Sequence, residues 1–295
     1  MKRLIWTLVT CCVALSAVAI EPRGPVREVA SGFSFTEGPA YDPDSGMTYF
    51  TDIPNNKIHR VDADGNVDVF TDSSNHANGL LVQDGNLYAC EMDGALVVYD
   101  LKTKRRQVLA ERYDGKRFNA CNDLVLDASG GIYFTDPLFR APQPLPQGVQ
   151  AVYYRAADGK VTRLTGDMPA PNGIALSPDG KKLYVAPSAD ETMLHFDVEG
   201  PGKLGPAQPL VQVQQPKGKR GTGGDGMVVD VDGNLYFTTN RGVEVVSPEG
   251  VSLHVIEFPQ QPANVTFIGP DRKTMLVTAR TALYSVSMPV AGLSR

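Results

Sequence analysis

Helical periodicity is missing from nearly all of this 295-residue chain. After the first two dozen residues, no stretch repeats its apolar positions every three to four residues over a useful length, which leaves strands as the building material. Histidine is scarce. His59, His76, His195 and His254 are scattered without metal-ligand spacing, which argues against a histidine-based zinc site. No G-x-S-x-G run is present, and with it goes the serine nucleophile elbow. Excess positive charge is also absent: 28 Lys and Arg face 33 Asp and Glu, for a net charge of −5. That argues against a nucleic-acid partner, which needs a basic face. Cysteine is limited to four residues, two of them near the N-terminus.

The remaining composition is ordinary for a globular protein, at 42% hydrophobic and 21% charged residues. The length suits two average domains or one large all-β domain, and is enough to bury a core without disulfides. The N-terminus reads as a signal peptide over residues 1–19. Lys2 and Arg3 precede the apolar run Leu4 to Leu15, and Ala17-Val18-Ala19 supplies an A-x-A cleavage site. The run is too short for a membrane anchor, and Thr10 before Cys11 is a poor lipoprotein site. Cleavage leaves residues 20–295 as one domain, two charges more negative, in the periplasm or secreted. The mature chain keeps Cys90 and Cys121, which an oxidising compartment allows to pair. The alternative is two buried thiols.

One pattern occurs six times. A polar residue, often followed by Gly, opens a short apolar run; a tight turn follows, then a second run rich in aromatics. The copies are EGPAYDPDSGMTYFTD from Glu37, NGLLVQDGNLYACE from Asn78, NDLVLDASGGIYFTD from Asn122, NGIALSPDGKKLYVAP from Asn172, DGMVVDVDGNLYFTT from Asp225 and NVTFIGPDRKTMLVTA from Asn264. Each reads as a hairpin, with Asp-Gly turns tolerating the positive φ that tight connections require. Third strands follow, such as Lys57 to Asp62, Ala95 to Asp100 and Gly242 to Ser247. The last copy lacks an outer strand, which Val26 to Val29 at the N-terminus can supply, removing an exposed edge. Repeats at intervals of 39 to 53 residues without a capping unit predict an all-β, six-bladed β-propeller rather than a sandwich or solenoid.

In such a ring the first strand of every blade lines the central channel. The opening residues Glu37, Asn78, Asn122, Asn172, Asp225 and Asn264 therefore converge on one mouth. All are carboxylates or amides, hard oxygen donors suited to Ca²⁺, Mg²⁺ or Mn²⁺. Turn-capping explains the Asn residues singly but not Glu37 or the coincidence of six.

These residues bring a resemblance. Glu37-Gly38-Pro39, Asn122-Asp123, Phe134-Thr135-Asp136-Pro137, Pro171-Asn172-Gly173, Gly224-Asp225-Gly226-Met227 and Gly269-Pro270-Asp271 resemble, in order, the gluconolactonase/regucalcin (senescence marker protein) family of propellers, over about Val26 to Val286. The resemblance implies a lactonase opening sugar-acid lactones such as gluconolactone with one divalent metal, calcium first and Mg²⁺, Mn²⁺ or Zn²⁺ behind it. By position Glu37, Asn172 and Asp225 match the metal ligands, and Asp225 also the catalytic acid/base. Asn122, Asn119 and Asp136 are the candidate substrate-binding residues. Two departures bear on the substrate: Ala120 stands where animal members carry Arg, and the loop Leu138 to Gly148 is short and proline-rich. Two other functions fit the same mouth, an arylesterase or phosphotriesterase, and an exported binding propeller with a structural metal.

Overall fold

The computed structural model describes residues 20–218 and 222–294. The signal-peptide reading falls on residues outside this range. The described residues form six four-stranded antiparallel blades, the fourth with an added short strand. The innermost strands are Thr36–Tyr41, Ala77–Gln83, Leu124–Leu126, Pro171–Leu176, Met227–Val229 and Asn264–Ile268. Each pairs with the second strand of its hairpin, as in Glu37 with Thr51 and Asn264 with Thr278.

The ring closes as the sequence suggested. Arg27–Ser31 lies antiparallel to Ala282–Ser287, with Arg27 opposite Ser285 and Ser31 opposite Ala282, so the N-terminal strand completes the sixth blade. Two small features carried no sequence pattern: the hairpin of Arg112–Tyr113 with Lys116–Arg117, and Lys203–Leu204 beside the long third strand Thr192–Gly200 of blade 4. Pairings of two residues are too short to show a period.

The hydrophobic core is divided among the interfaces between blades, which is why the strands read as apolar on both faces. Tyr49, Ile58 and Phe70 of blade 1 pack on Leu80, Leu87 and Val97 of blade 2. Tyr236 and Val245 of blade 5 pack on Phe267, Met275 and Val277 of blade 6. The closing interface is thinner, with Phe50, Val61 and Leu283 buried against Val29, Ala30 and Phe33. Cys90 and Cys121 are free thiols, fully buried in the cluster between blades 2 and 3. Of the two readings the sequence left open, the structure takes buried thiols, and burial pushes both well above the usual thiol range.

The channel narrows to a cavity of about 140 Å³ lined by Leu80, Leu124, Ile174, Val265 and their neighbours. Its far end is crossed by the C-terminal segment. There Val231 donates to the Ala291 carbonyl at 3.0 Å, Leu293 to Val229 at 3.0 Å, and Gly292 to Arg272 at 2.8 Å.

Candidate active site at the channel mouth

The six opening residues meet at the mouth because each blade hands its first strand to its neighbour by backbone contact. Gly79 N–H donates to the Asn122 carbonyl at 2.7 Å, and Gly226 N–H to Ala263 at 2.8 Å. Threonine hydroxyls of the second strands add a further stitch: Thr51 to the Asn78 carbonyl at 3.2 Å, Thr135 to Asn172 at 2.8 Å, Thr238 to Ala263 at 2.7 Å. This closeness explains the glycine after so many opening residues. A Cβ on Gly173 would stand 2.2 Å from the Asp225 carbonyl oxygen, and one on Gly79 would stand 2.4 Å from an Asp123 carboxylate oxygen.

Asp123 is the residue that sequence reasoning left out of the site. It occupies the position that is glycine in repeats one, two, four and five. Its side chain therefore enters the space those glycines keep clear, and it lines the channel cavity together with Asn264. The signal was present in the repeat alignment as a charged residue in a glycine column.

Glu37, Asp123 and Asp225 form the electrostatic centre. Burial pushes Glu37 up to about 7, against the relief of a 2.8 Å bond from Gly38 N–H and of the Asn264 amide. Burial likewise pushes Asp123 up to about 7, the Glu37 charge adds to it, and Leu124 N–H at 2.9 Å and Asn264 oppose it. Asp225 is driven well above the ordinary range by burial first, then by the Glu37 and Asp123 charges, with Asn172 the main relief. Three carboxylates thus repel one another in a place where water solvates them poorly. A divalent cation would remove both costs at once. The donor set of carboxylates and amides fits a hard cation.

Asn172 is oriented for that set. Its Nδ2 donates to Ser188 Oγ at 3.0 Å, Ser188 passes a bond to the Gly224 carbonyl at 2.8 Å, and Asn172 also supports Asp225. Spending the amide nitrogen this way leaves the amide oxygen for a cation. Asn78 donates weakly to Met92 Sδ at 3.9 Å. Asn122 is buried at the mouth, its backbone held by Thr135 at 2.9 Å.

Asn119 and Asp136 lie one step outside this centre, and they hold each other. Asp136 accepts from the amides of Asn119 at 2.9 Å and Ala120 at 2.8 Å. The Asn119 side chain donates to the carbonyls of Asp136 and Val149 and accepts from Gln147 N–H at 3.0 Å. The pair fixes the loop that delivers Asn122. His76 sits on the rim with Asp93 at 3.1 Å, and Arg140 is exposed on its loop.

A six-bladed propeller with a channel mouth lined by carboxylates and amides belongs among the hydrolytic and binding propellers. Comparison with known proteins narrows this. Residues 35–281 match the SMP-30/Gluconolactonase/LRE-like region, and the chain belongs to that family. It is 29% identical over 280 residues to a gluconolactonase of Zymomonas mobilis, covering 86% of this chain and 79% of that one. It is 28% identical over 205 residues to the diisopropyl-fluorophosphatase of Loligo vulgaris, covering 65% and 64%. Among solved structures, a gluconolactonase of Xanthomonas campestris superposes with a TM-score of 0.82 at 28% identity, covering 90% of this chain and 89% of that one.

Proposed function

We propose that this protein is a metal-dependent lactonase that opens sugar-acid lactones at the propeller mouth. The observation that carries it is the convergence of Glu37, Asn172, Asp225 and Asp123, in a family and beside relatives named for gluconolactone hydrolysis. Glu37, Asn172 and Asp225 are the cation ligands of this reading, and calcium is its first candidate. When bound, the cation supplies Lewis acidity to the lactone carbonyl.

The chain's own residues do the rest. Asp225, ionised beside the cation, takes a proton from the attacking water as the C–O bond to the carbonyl carbon forms. The ring C–O bond then breaks, and the same proton passes to the departing ring oxygen. The product is a hydroxy acid, ionised at neutral pH. Asn122 holds substrate oxygens, and Asn119 with Asp136 keeps its loop in place. Export to the periplasm or beyond completes the reading, on the strength of the leader residues.

A second reading, arylester or phosphotriester hydrolysis from the same ring, is favoured by one feature. Ile53, Met92 and Ala120 form an apolar cluster at the mouth with Phe35 and Phe139 against it.

The test is the initial rate of glucono-1,5-lactone hydrolysis by protein stripped with EDTA and reloaded with Ca²⁺, Mg²⁺, Mn²⁺ or Zn²⁺, against phenyl acetate and diisopropyl fluorophosphate. A metal-restored rate on the lactone, falling about 10²- to 10⁴-fold in Asp225→Ala, supports the proposal. Metal binding without hydrolysis of the lactone overturns it, and turnover of either other substrate then moves the function to the second reading.

A further inference from the structure

A second ring of side chains stands just above the first. Immediately after the last residue of each second strand stand Ile53, Met92, Pro137, Ser188, Asn240 and Arg280. The ring is split. Blades 1 to 3 contribute apolar residues and blades 4 to 6 polar ones, with Arg280 the one cation among the six.

Arg280 is held in place by more than its strand. It follows Ala279, the last residue of the second strand of blade 6, with a left-handed backbone at φ 49°, an uncommon conformation for a side chain of its size. Its carbonyl accepts from Thr36 N–H at 2.7 Å and from Thr36 Oγ1 at 3.3 Å, one residue before Glu37. The guanidinium stacks on Phe35, 5.5 Å from the ring centre. One of its nitrogens donates to Gln261 Oε1. Gln261 in turn donates to Asn240 Oδ1 at 2.6 Å, and Asn240 Nδ2 to Thr222 Oγ1. Stack and amide chain together fix the plane of the guanidinium and use only part of its five-donor fork.

No carboxylate forms an ion pair with Arg280 among the described residues. Its charge reaches Asp225 but is the smallest influence there. An oriented, exposed cation at the rim of a reaction site is suited to a planar anionic oxygen group.

We propose that Arg280 is a specificity-determining residue that binds an anionic oxygen group of the ligand. This rests on the lactonase reading, which offers two sources for that group: the carboxylate released when the ring opens, or an anionic substituent already on the lactone.

The experiment uses the full calcium-loaded protein, wild type, Arg280→Ala and Arg280→Lys, with thermal midpoints to confirm folding. One arm measures inhibition of gluconolactone hydrolysis by gluconate, together with calorimetric binding of gluconate. The other compares kcat/KM for glucaro-1,4-lactone, which carries a carboxylate, with neutral glucono-1,4-lactone. Product recognition predicts that Arg280→Ala weakens gluconate about tenfold and leaves the lactone ratio unchanged. Substituent recognition predicts that the ratio favours glucarolactone in wild type and falls about tenfold in Arg280→Ala. In either case Arg280→Lys recovers part of the loss. Both quantities staying within twofold of wild type in Arg280→Ala overturns the proposal, and so does a wild type that neither binds gluconate nor prefers glucarolactone. If no lactone is hydrolysed at all, the lactonase reading fails, and the calorimetric arm still decides the role of Arg280.

Discussion

Two neighbouring sets of buried carboxylates solve the same problem in opposite ways. Asp52, Glu91 and Asp136 end the second strands of blades 1 to 3, and each is supplied with protein donors. Glu91 receives Arg106 through Nε at 2.7 Å and Nη2 at 2.6 Å, Tyr99 Oη at 3.1 Å and Asn75 at 3.0 Å. Asp52 takes the amides of Ser34 and Phe35 and the side chain of Asn55. Asp136 takes Asn119 and Ala120, and although burial still pushes it to about 7, no neighbouring carboxylate contributes to that shift. Glu37, Asp123 and Asp225 instead share Asn264, Asn172 and the backbone amides of Gly38, Leu124 and Ile174, and Glu37 raises the other two. The outer set braces loops and is complete as it stands. The inner set lacks such donors and its members raise one another, which is the arrangement the proposed cation would relieve.

The largest test of that contrast is Glu91→Ala. It strands the Arg106 guanidinium and a Tyr99 hydroxyl inside blade 2, so unfolding in urea should show a loss of about 3 kcal/mol, with Arg106 keeping enough solvent access to hold the cost near the lower end for a broken buried pair. A loss below about 1 kcal/mol would put Glu91 in the same class as the inner acids.

Next in size is the cation itself. At a hundredfold excess over its dissociation constant, Ca²⁺ should stabilise the wild type by about 2.7 kcal/mol, read as a rise of several degrees in melting temperature. Asp225→Asn should abolish that rise. Without the cation, the same variant should melt no lower than wild type, because it removes a carboxyl whose ionised form burial and the neighbouring acids disfavour. A metal-free Asp225→Asn that unfolds earlier would mean Asp225 is a brace after all.

These contrasts mark how far the sequence could be read. The ring was legible because each blade repeats one hairpin, and the closing strand because the sixth copy lacked one. The inner acids Glu37 and Asp225 were legible because they open repeats. Asp123 was marked only as a charge in a glycine column, because it follows an opening residue, and the closeness of Gly79 to its carboxylate shows what that position faces. Asn119 and Asp136 show the converse. Their residue types suit ligand contact equally well, and only the bonds to Val149, Gln147 and Ala120 show that their side chains grip the loop. The second ring, with Arg280, was invisible for another reason: it depends on the register between two strands, and bulges after Glu37, Ala77 and Pro171 shift that register in blades 1, 2 and 4.

The smallest effect sharpens the comparison from a third position. Glu244, on the third strand of blade 5, is fully buried and accepts Gln214 N–H, at 3.0 and 3.2 Å, with further relief from the Thr239 hydroxyl and a nearby Arg241. Burial pushes it to about 7 from an ordinary 4.5. The folded protein therefore holds this proton more tightly than the unfolded chain does. The stability that proton contributes is fully present below about pH 4.5 and is lost as the pH rises through 7. With saturating Ca²⁺ to keep the inner acids ionised, wild type should lose about 1–2 kcal/mol more than Glu244→Gln between pH 5 and pH 8 in urea unfolding. Parallel curves for the two proteins would show that the donors around Glu244 suffice to keep it ionised, and that crowding by other acids, rather than burial alone, sets the inner acids apart.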